Sequence, residues 1–442
     1  MIIMALQAGF ARIDITPPLG ASLQGYFNVR LADGILDPLL ATAVAFDDGN
    51  KRAVVMSVDV IGFNQMLMDR IRPMVAEAIG TDKEGVFICC PHTHLGPGLT
   101  TRTTEYQNPD YIDTFMKKLR DVAVLAVQDL APAKLSYTRG TVKDVAFVRR
   151  FRMKDGSART NPGWQNPDIL HALSEPDENS SLLIIKREGA PEIGIVNFQV
   201  HPDVIGGCKM SADFPKFVRD TYEKLIDNSR CMYINGAQGD TNHIDVRLGP
   251  DVCRGGYERS RYMGRKIAMS VLADYELAKP LEATAVNYGQ KSYDAKYNKG
   301  EESQYELSRK IDALYKEKGA EAVAEAYCLK GMSVGTEIAR AQRIVRLIDY
   351  PESKELYLTA VSVGDVVFAG FPGEPFTDIG RGVKANSKFT LTVPACAANG
   401  YEGYFPMMSA FQEGGYEALN ARYVGGTAEK LIEVSTEVIN GL

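Results

Sequence analysis

Short apolar runs ended by Gly, Asp, Asn or Pro recur along the chain. They are ATAVAF at 41–46, AVVMSVDV at 53–60, VFICC at 86–90, SLLIIKR at 181–187, IGIVNFQV at 193–200, CMYING at 231–236, DVVFAGF at 365–371 and FTLTVPAC at 389–396. Their length and β-branched content predict buried strands. Between some of them the apolar spacing changes to three and four. FNQMLMDRIRPMVAEAIG at 63–80 predicts a helix kinked at Pro73, and SADFPKFVRDTYEKLIDN at 211–228 one with Pro215 near its first turn. AEKLIEVSTEVING at 428–441 predicts a final amphipathic helix. Strands alternating with helices make this an α/β protein, and the close neighbours 181–187 and 193–200 predict a mixed rather than all-parallel sheet.

The segment 295–347 breaks this rhythm. It is rich in Glu, Lys and Ala and predicts one or two exposed helices inserted between strands, placed where they can cover or narrow a site entrance. No repeat or low-complexity linker divides the chain, so the expectation is mixed β-sheets flanked by helices in one large domain, 1–442, carrying that insertion.

Composition narrows the function without naming it. The 442 residues are 45% hydrophobic and 24% charged with a net charge of −6, which gives no reason to expect nucleic acid or an anionic membrane as partner. No run approaches the length of a transmembrane span. MIIMALQAGFARIDITPP lacks the basic start and full apolar stretch of a signal peptide. A cytoplasmic location is expected, with secretion left open if a leader has been removed. The seven cysteines, odd in number and without a C-x-x-C pair, read as reduced thiols. Oligomeric state is not legible.

The candidate chemistry gathers at strand ends. FICCPHTHLGPG puts His92 and His94 just past one strand; if extended geometry persists, they point the same way, and the Gly-Pro-Gly that follows permits a sharp turn. His201 follows a second strand in FQVHPD, and Asp240, Thr241 and His243 a third in NGAQGDTNHID. Glu374 lies in PGEP after a fourth, and Tyr401 and Tyr404 in NGYEGYFP after a fifth. Four of the five histidines therefore occupy strand-end turns, where α/β folds build their sites. A histidine/carboxylate set with one open position is the pattern of catalytic zinc. The fifth, His171 in DILHALSE, reads as an ordinary helical residue.

In chain order these motifs resemble the catalytic domain of neutral ceramidases, zinc-dependent amidases that hydrolyse ceramide to sphingosine and a fatty acid. AGFARIDITPPLGASLQGYF looks like the family's opening, and GILDPLLATAVAF like its G-I-x-x-x-x-x-A-R-A strand. HTHLGPG is similar to T-H-T-H-S-G-P-G, FQVHPD to A-V-H-P, NGAQGD to N-x-G-D and PGEPFTDIGR to P-G-E-F-T-T-x-x-G-R. NGYEGYFP and YEALNARYVG resemble N-x-Y-x-x-Y and Y-E-A-A-S-T-x-Y-G. The likeness spans about residues 7–426. It implies a zinc held by His92, His201, Glu374 and Tyr404, with His94 beside the metal as acid/base group or substrate contact; our expectation is the acid/base role, with Asp240 orienting it. Arg149 and Tyr401 are implied substrate contacts, Arg150 being an equal candidate for the arginine. The implied substrate is ceramide or a related N-acyl compound.

Three departures qualify the resemblance. The family's G-D-x-S-P-N serine has no counterpart in Gly239-Asp240-Thr241-Asn242-His243; Thr241 supplies a hydroxyl there only if a residue has been deleted. Leu95 replaces the serine of H-T-H-S. The immunoglobulin-like C-terminal domain of larger members does not follow YEALNARYVG. They leave open a different small amide or ester as substrate, and a non-catalytic binding protein on the same scaffold. A metallophosphoesterase is disfavoured because Asp59, in SVDV, is followed by no histidine.

Overall fold

The structure is a computed structural model that describes residues 6–26, 28–100, 107–282 and 285–442. The start of the segment read against a signal peptide, residues 1–5, lies outside them, as does Phe27 of the family-like opening.

The strands of the principal sheet are β1 (Gln7–Asp14), β2 (Leu40–Asp47), β3 (Arg52–Val58), β4 (Val86–Cys89), β5 (Ala131–Thr141), β6 (Asn179–Arg187), β7 (Glu192–Phe198), β8 (Ser229–Asn235) and β9 (Lys279–Leu281). Their order is β8-β7-β6-β5-β1-β2-β3-β4, with β9 added to β5. Pairing is antiparallel except at its two ends, where β7 runs parallel to β8 and β3 to β4. A second sheet follows, β10 (Val286–Lys296), β11 (Ser353–Val363), β12 (Val366–Gly370) and β13 (Leu391–Ala395), with only β12 and β13 parallel. The expected mixed sheets and the 181–187 hairpin are both present.

Why the strand sequences are nearly unbroken apolar runs follows from their two buried faces. In β2, Ala41, Ala43 and Ala45 pack toward helices α1 (Gln65–Ile79) and α2 (Pro109–Gln128). The alternate Val44 and Phe46 pack against Val361, Phe368 and Val393 of the second sheet. β8 divides likewise: Met232 and Ile234 face that shared core, while Cys231 and Tyr233 face helices α3 (Phe214–Leu225) and α4 (Tyr257–Leu272). The outer face of the second sheet is covered by helices after residue 376. The architecture is therefore helix, sheet, sheet, helix, and loops at the strand ends meet along one edge.

Helix α1 begins at Asn64, whose side chain accepts from Leu67 N, and ends at Gly80 in the left-handed region; it is continuous across Pro73. The Glu/Lys/Ala segment forms α5 (Tyr305–Ala326) and α6 (Met332–Leu347) between the paired strands β10 and β11. Exposed helices were expected, but α6 buries Ile338, Ala341, Ile344 and Leu347. α7 (Thr377–Asn386) and α8 (Thr427–Asn440) cover the second sheet. His171, expected in a helix, lies in an exposed strand, Ile169–Ala172, paired with Phe151 and Arg152. Only Ile169 of DILHALSE packs against a core, that of Val148, Phe151, Met153 and Val246, and edge pairing satisfies the segment's backbone. Six cysteines are free; the side chain of Cys253 lies outside the described residues. No helix among the described residues is long and apolar enough to cross a membrane.

Candidate metal centre

The carboxyl ends of β4, β7, β12 and β13 converge and are tied together by their backbones. Asn399 N donates to Ile88 O at 2.8 Å and its Oδ1 accepts from Ile88 N at 2.9 Å, joining the ends of β13 and β4. Cys396 N donates to Asn235 O at 3.0 Å, joining β13 to β8. Residues 374–375 and 404–405 then pair as a two-residue parallel ladder that sets Glu374 beside Tyr404.

His92 has φ 80°, a left-handed conformation rare for a side chain of this size. Extended geometry therefore ends before the H-x-H pair, and the sharp turn falls on His92 itself. Gly96 contributes by close approach: a Cβ there would lie 3.0 Å from Asp59 O. The His92 and His94 rings still face one space, 5.3 Å apart, and His201 lies 5.1 Å from His92 and 5.7 Å from His94. All three are buried, with one ring nitrogen from each within 4.8 Å of the others.

Backbone carbonyls fix the tautomers of two of these rings. His92 Nδ1 lies 2.8 Å from Ile61 O, and His201 Nδ1 lies 3.0 Å from Gln238 O and 3.1 Å from Thr241 O. A carbonyl only accepts, so each Nδ1 carries a proton, and in the neutral ring Nε2 then carries the lone pair. Both lone pairs face Glu374 Oε2, at 3.3 Å from His92 and 3.0 Å from His201. Neither Glu374 Oε2 nor His201 Nε2 has a hydrogen-bond partner, although both are buried. Three acceptors turned toward one point in a dry site repel one another unless a cation lies between them. The donor set fits a divalent metal such as zinc, and the carbonyl-held imidazoles are the usual outer support of one.

Protonation does not resolve this crowding at neutral pH. Burial, then the Arg149 charge, lowers the His201 imidazole to about 4. Burial and the neighbouring imidazoles hold His94 well below its ordinary value. Burial alone would raise Glu374, but His92 and His201 outweigh it and keep the carboxyl well below its usual range. The set is therefore an ionised carboxylate beside two imidazoles, His201 and His94, whose burial disfavours protonation.

The two tyrosines take different places. Tyr401 donates to Glu374 Oε1 at 2.5 Å and stacks on His92 at 5.7 Å, so it holds the carboxylate from behind. Tyr404 stacks at 6.5 Å from His201, and Arg149 lies 5.4 Å from its ring. Burial, then the Glu374 charge, raises both phenols well above their ordinary value. Arg149 is itself tied to Glu417 Oε1 and Gly239 O, both at 2.7 Å. Arg150 turns away, toward Gly414 O and Glu413.

Asp240 was expected to orient His94. Its oxygens are instead engaged by Thr377 N and Oγ1 at 2.8 and 2.7 Å and by Ser174 Oγ at 3.1 Å, and Arg149 N donates to its carbonyl at 3.1 Å. It anchors the start of α7. The Thr241 hydroxyl donates to Gln238 O at 3.3 Å, and it is the Thr241 carbonyl that supports His201. The carboxylate nearest His94 is Asp203, with Oδ1 3.5 Å from Nδ1, and the Tyr26 hydroxyl donates to the same oxygen. Burial, opposed by the Tyr26 hydrogen bond, raises Asp203 to about 6. Sequence reasoning passed over Asp203 although it stands two residues after His201, past the same strand. Gly25 packs on the other side, where a Cβ would sit 2.5 Å from the His94 ring.

His92, His94, Glu374, Tyr401 and Tyr404 floor a pocket of about 160 Å³, roofed in part by Gln342, Arg343 and Arg346 of α6.

No family model matches the chain. Its fold is similar to that of neutral ceramidase from Pseudomonas aeruginosa, with a TM-score of 0.74 over 99% of this chain and 74% of that one at 15% identity. A structure described as ceramidase complexed with C2 matches equally, with a TM-score of 0.74 over 99% of this chain and 75% of that one at 14% identity. The chain therefore has a neutral ceramidase-like fold.

Proposed function

We propose that this chain is a zinc-dependent hydrolase of the neutral ceramidase type, cleaving the amide bond of an N-acyl compound with water. The observation that carries the reading is the convergence of His92 Nε2 and His201 Nε2 on the buried Glu374 Oε2, at 3.3 and 3.0 Å. The ceramidase-like fold supports the same reading.

In this reading His92, His201 and Glu374 hold the zinc, with Tyr404 beside them as the fourth group. Bound there, the metal would supply a Lewis acid able to polarise an amide carbonyl and to lower the pKa of a water toward neutral. Tyr401 keeps Glu374 oriented. Arg149 faces Tyr404 and favours its phenolate. His94, short of protons and without a hydrogen-bond partner, is free to take a proton from the attacking water and pass it to the leaving amine. Asp203 is better placed than Asp240 to hold the imidazole while it carries that proton. Thr241 acts through its carbonyl rather than as a replacement for the family serine.

The test is metal analysis of purified protein. The wild type should carry about one zinc per chain, and His201→Ala should lose it while retaining its fold by circular dichroism. Undiminished zinc in His201→Ala sinks the assignment.

A further inference from the structure

The pocket's roof differs in character from what a lipid would require. Its volume, about 160 Å³, lies below the ~300–1,000 Å³ of sites that enclose drug-sized ligands. Its described walls include Gln24, Gln342, Arg343, Arg346, Asn420 and Arg422, all polar, and Glu374 is the only carboxylate among the described lining residues. Arg422 is neutralised by Glu402 at 3.0 Å.

Arg343 is different. It is 4% exposed, and its guanidinium donates to two neutral carbonyls, Leu419 O at 3.0 Å and Asn298 O. No carboxylate lies within ion-pair distance of it among the described residues. Burial, with the charge of Arg340 adding to it, lowers the guanidinium to about 10. A buried cation without a countercharge is costly, and a ligand that brings the missing charge relieves that cost. Arg343 therefore lines, from the inserted helix, the same pocket as His92, His94 and Glu374, with its charge unanswered.

Resting on the hydrolase reading above, we propose that the amide cleaved here is small and carboxylate-bearing, as in a short-chain N-acyl amino acid, with the carboxylate set against Arg343. The reaction adds water across the amide: a C–O bond forms, the C–N bond breaks, and the proton from water goes to the leaving amine. The products are a short fatty acid and a free amino acid. The floor carries out the amide chemistry, and α6 places a cation at the entrance.

The experiment uses the zinc-loaded full chain and compares acetate release from N-acetylglycine, N-acetylalanine and N-acetylserine with release from their carboxamides and from C2 ceramide. A charge-assisted hydrogen bond is worth roughly 1.5–3 kcal/mol, so kcat/KM for the acids should exceed that for the carboxamides by at least about tenfold. Arg343→Gln should bring the acid-to-carboxamide ratio close to unity, and Arg343→Lys should retain most of it. The wild-type comparison stands even if the glutamine variant misfolds for want of its clamp on Leu419 and Asn298. Equal rates for acids and carboxamides, or turnover of C2 ceramide with the acids inert, overturn this inference alone. Failure of every amide, C2 ceramide included, overturns the hydrolase reading and this inference with it.

Discussion

His243 provides a sharp test of the electrostatics behind the metal centre. It follows the β8 turn, is 6% exposed, and has an Nδ1 without a hydrogen-bond partner. Burial, then the charge of Arg259, lowers its imidazole to about 4. An unfolded chain protonates this side chain near 6.5. Between those values the unfolded state binds a proton that the folded state refuses, so stability is full above about 6.5 and falls as pH drops toward about 4. Each tenfold difference in proton affinity is worth about 1.4 kcal/mol, so His243 alone accounts for roughly 3 kcal/mol over the window. The assay is urea unfolding of chelator-stripped protein at about pH 7.5 and pH 4.5. His243→Gln takes up no proton. Its stability should fall between the two conditions by about 2–3 kcal/mol less than that of the wild type. Comparing each protein with itself removes whatever the substitution costs at neutral pH. Identical losses in the two proteins would refute the buried, neutral state assigned to this histidine.

Two further substitutions probe the centre directly. Tyr401→Phe removes the 2.5 Å hydrogen bond to Glu374 Oε1, and zinc affinity measured by competition with a chelator should weaken about 10–100-fold; an unaltered affinity with a raised KM would make Tyr401 a substrate contact instead. Gly25→Ala places a Cβ 2.5 Å from the His94 ring at a backbone φ of +119°, so kcat should fall roughly 100-fold with zinc content retained, and an unchanged kcat would remove His94 from the proton path.

The parts of the fold legible in the sequence are those with two buried faces. In β3, Val54 and Met56 pack on the helices while Ala53 and Val55 pack on the second sheet, so the whole run is apolar and stands out. β5 was missed because only Leu135 and Thr138 of AKLSYTRG are buried, and β10, VNYGQKSYDAK, because only Val286 and Ala295 are, so neither forms an apolar run. The gathering of His92, His94, His201, Glu374, Tyr401 and Tyr404 was foreseeable because each follows a strand, and parallel pairs at the sheet ends bring those strand ends together. Which carboxylate faces which imidazole was not foreseeable. Asp240 and Asp203 both follow strands, and only the tertiary turn decides that the first binds Thr377 while the second lies beside His94. The left-handed backbone at His92 was equally hidden, since nothing in Pro-His-Thr-His marks that residue rather than the following glycines. The buried face of α6 escaped notice because its apolar residues are diluted by the arginines that roof the pocket.

The central claim is that His92, His201 and Glu374 hold a zinc ion. X-ray absorption at the zinc edge of the purified protein tests it most directly. The account predicts about one zinc per chain in a shell of nitrogen and oxygen only, near 2.0–2.1 Å, with outer-shell scattering from two imidazoles that drops to one in His201→Ala. No zinc, a sulfur ligand, or three imidazoles with His94 among them would contradict it.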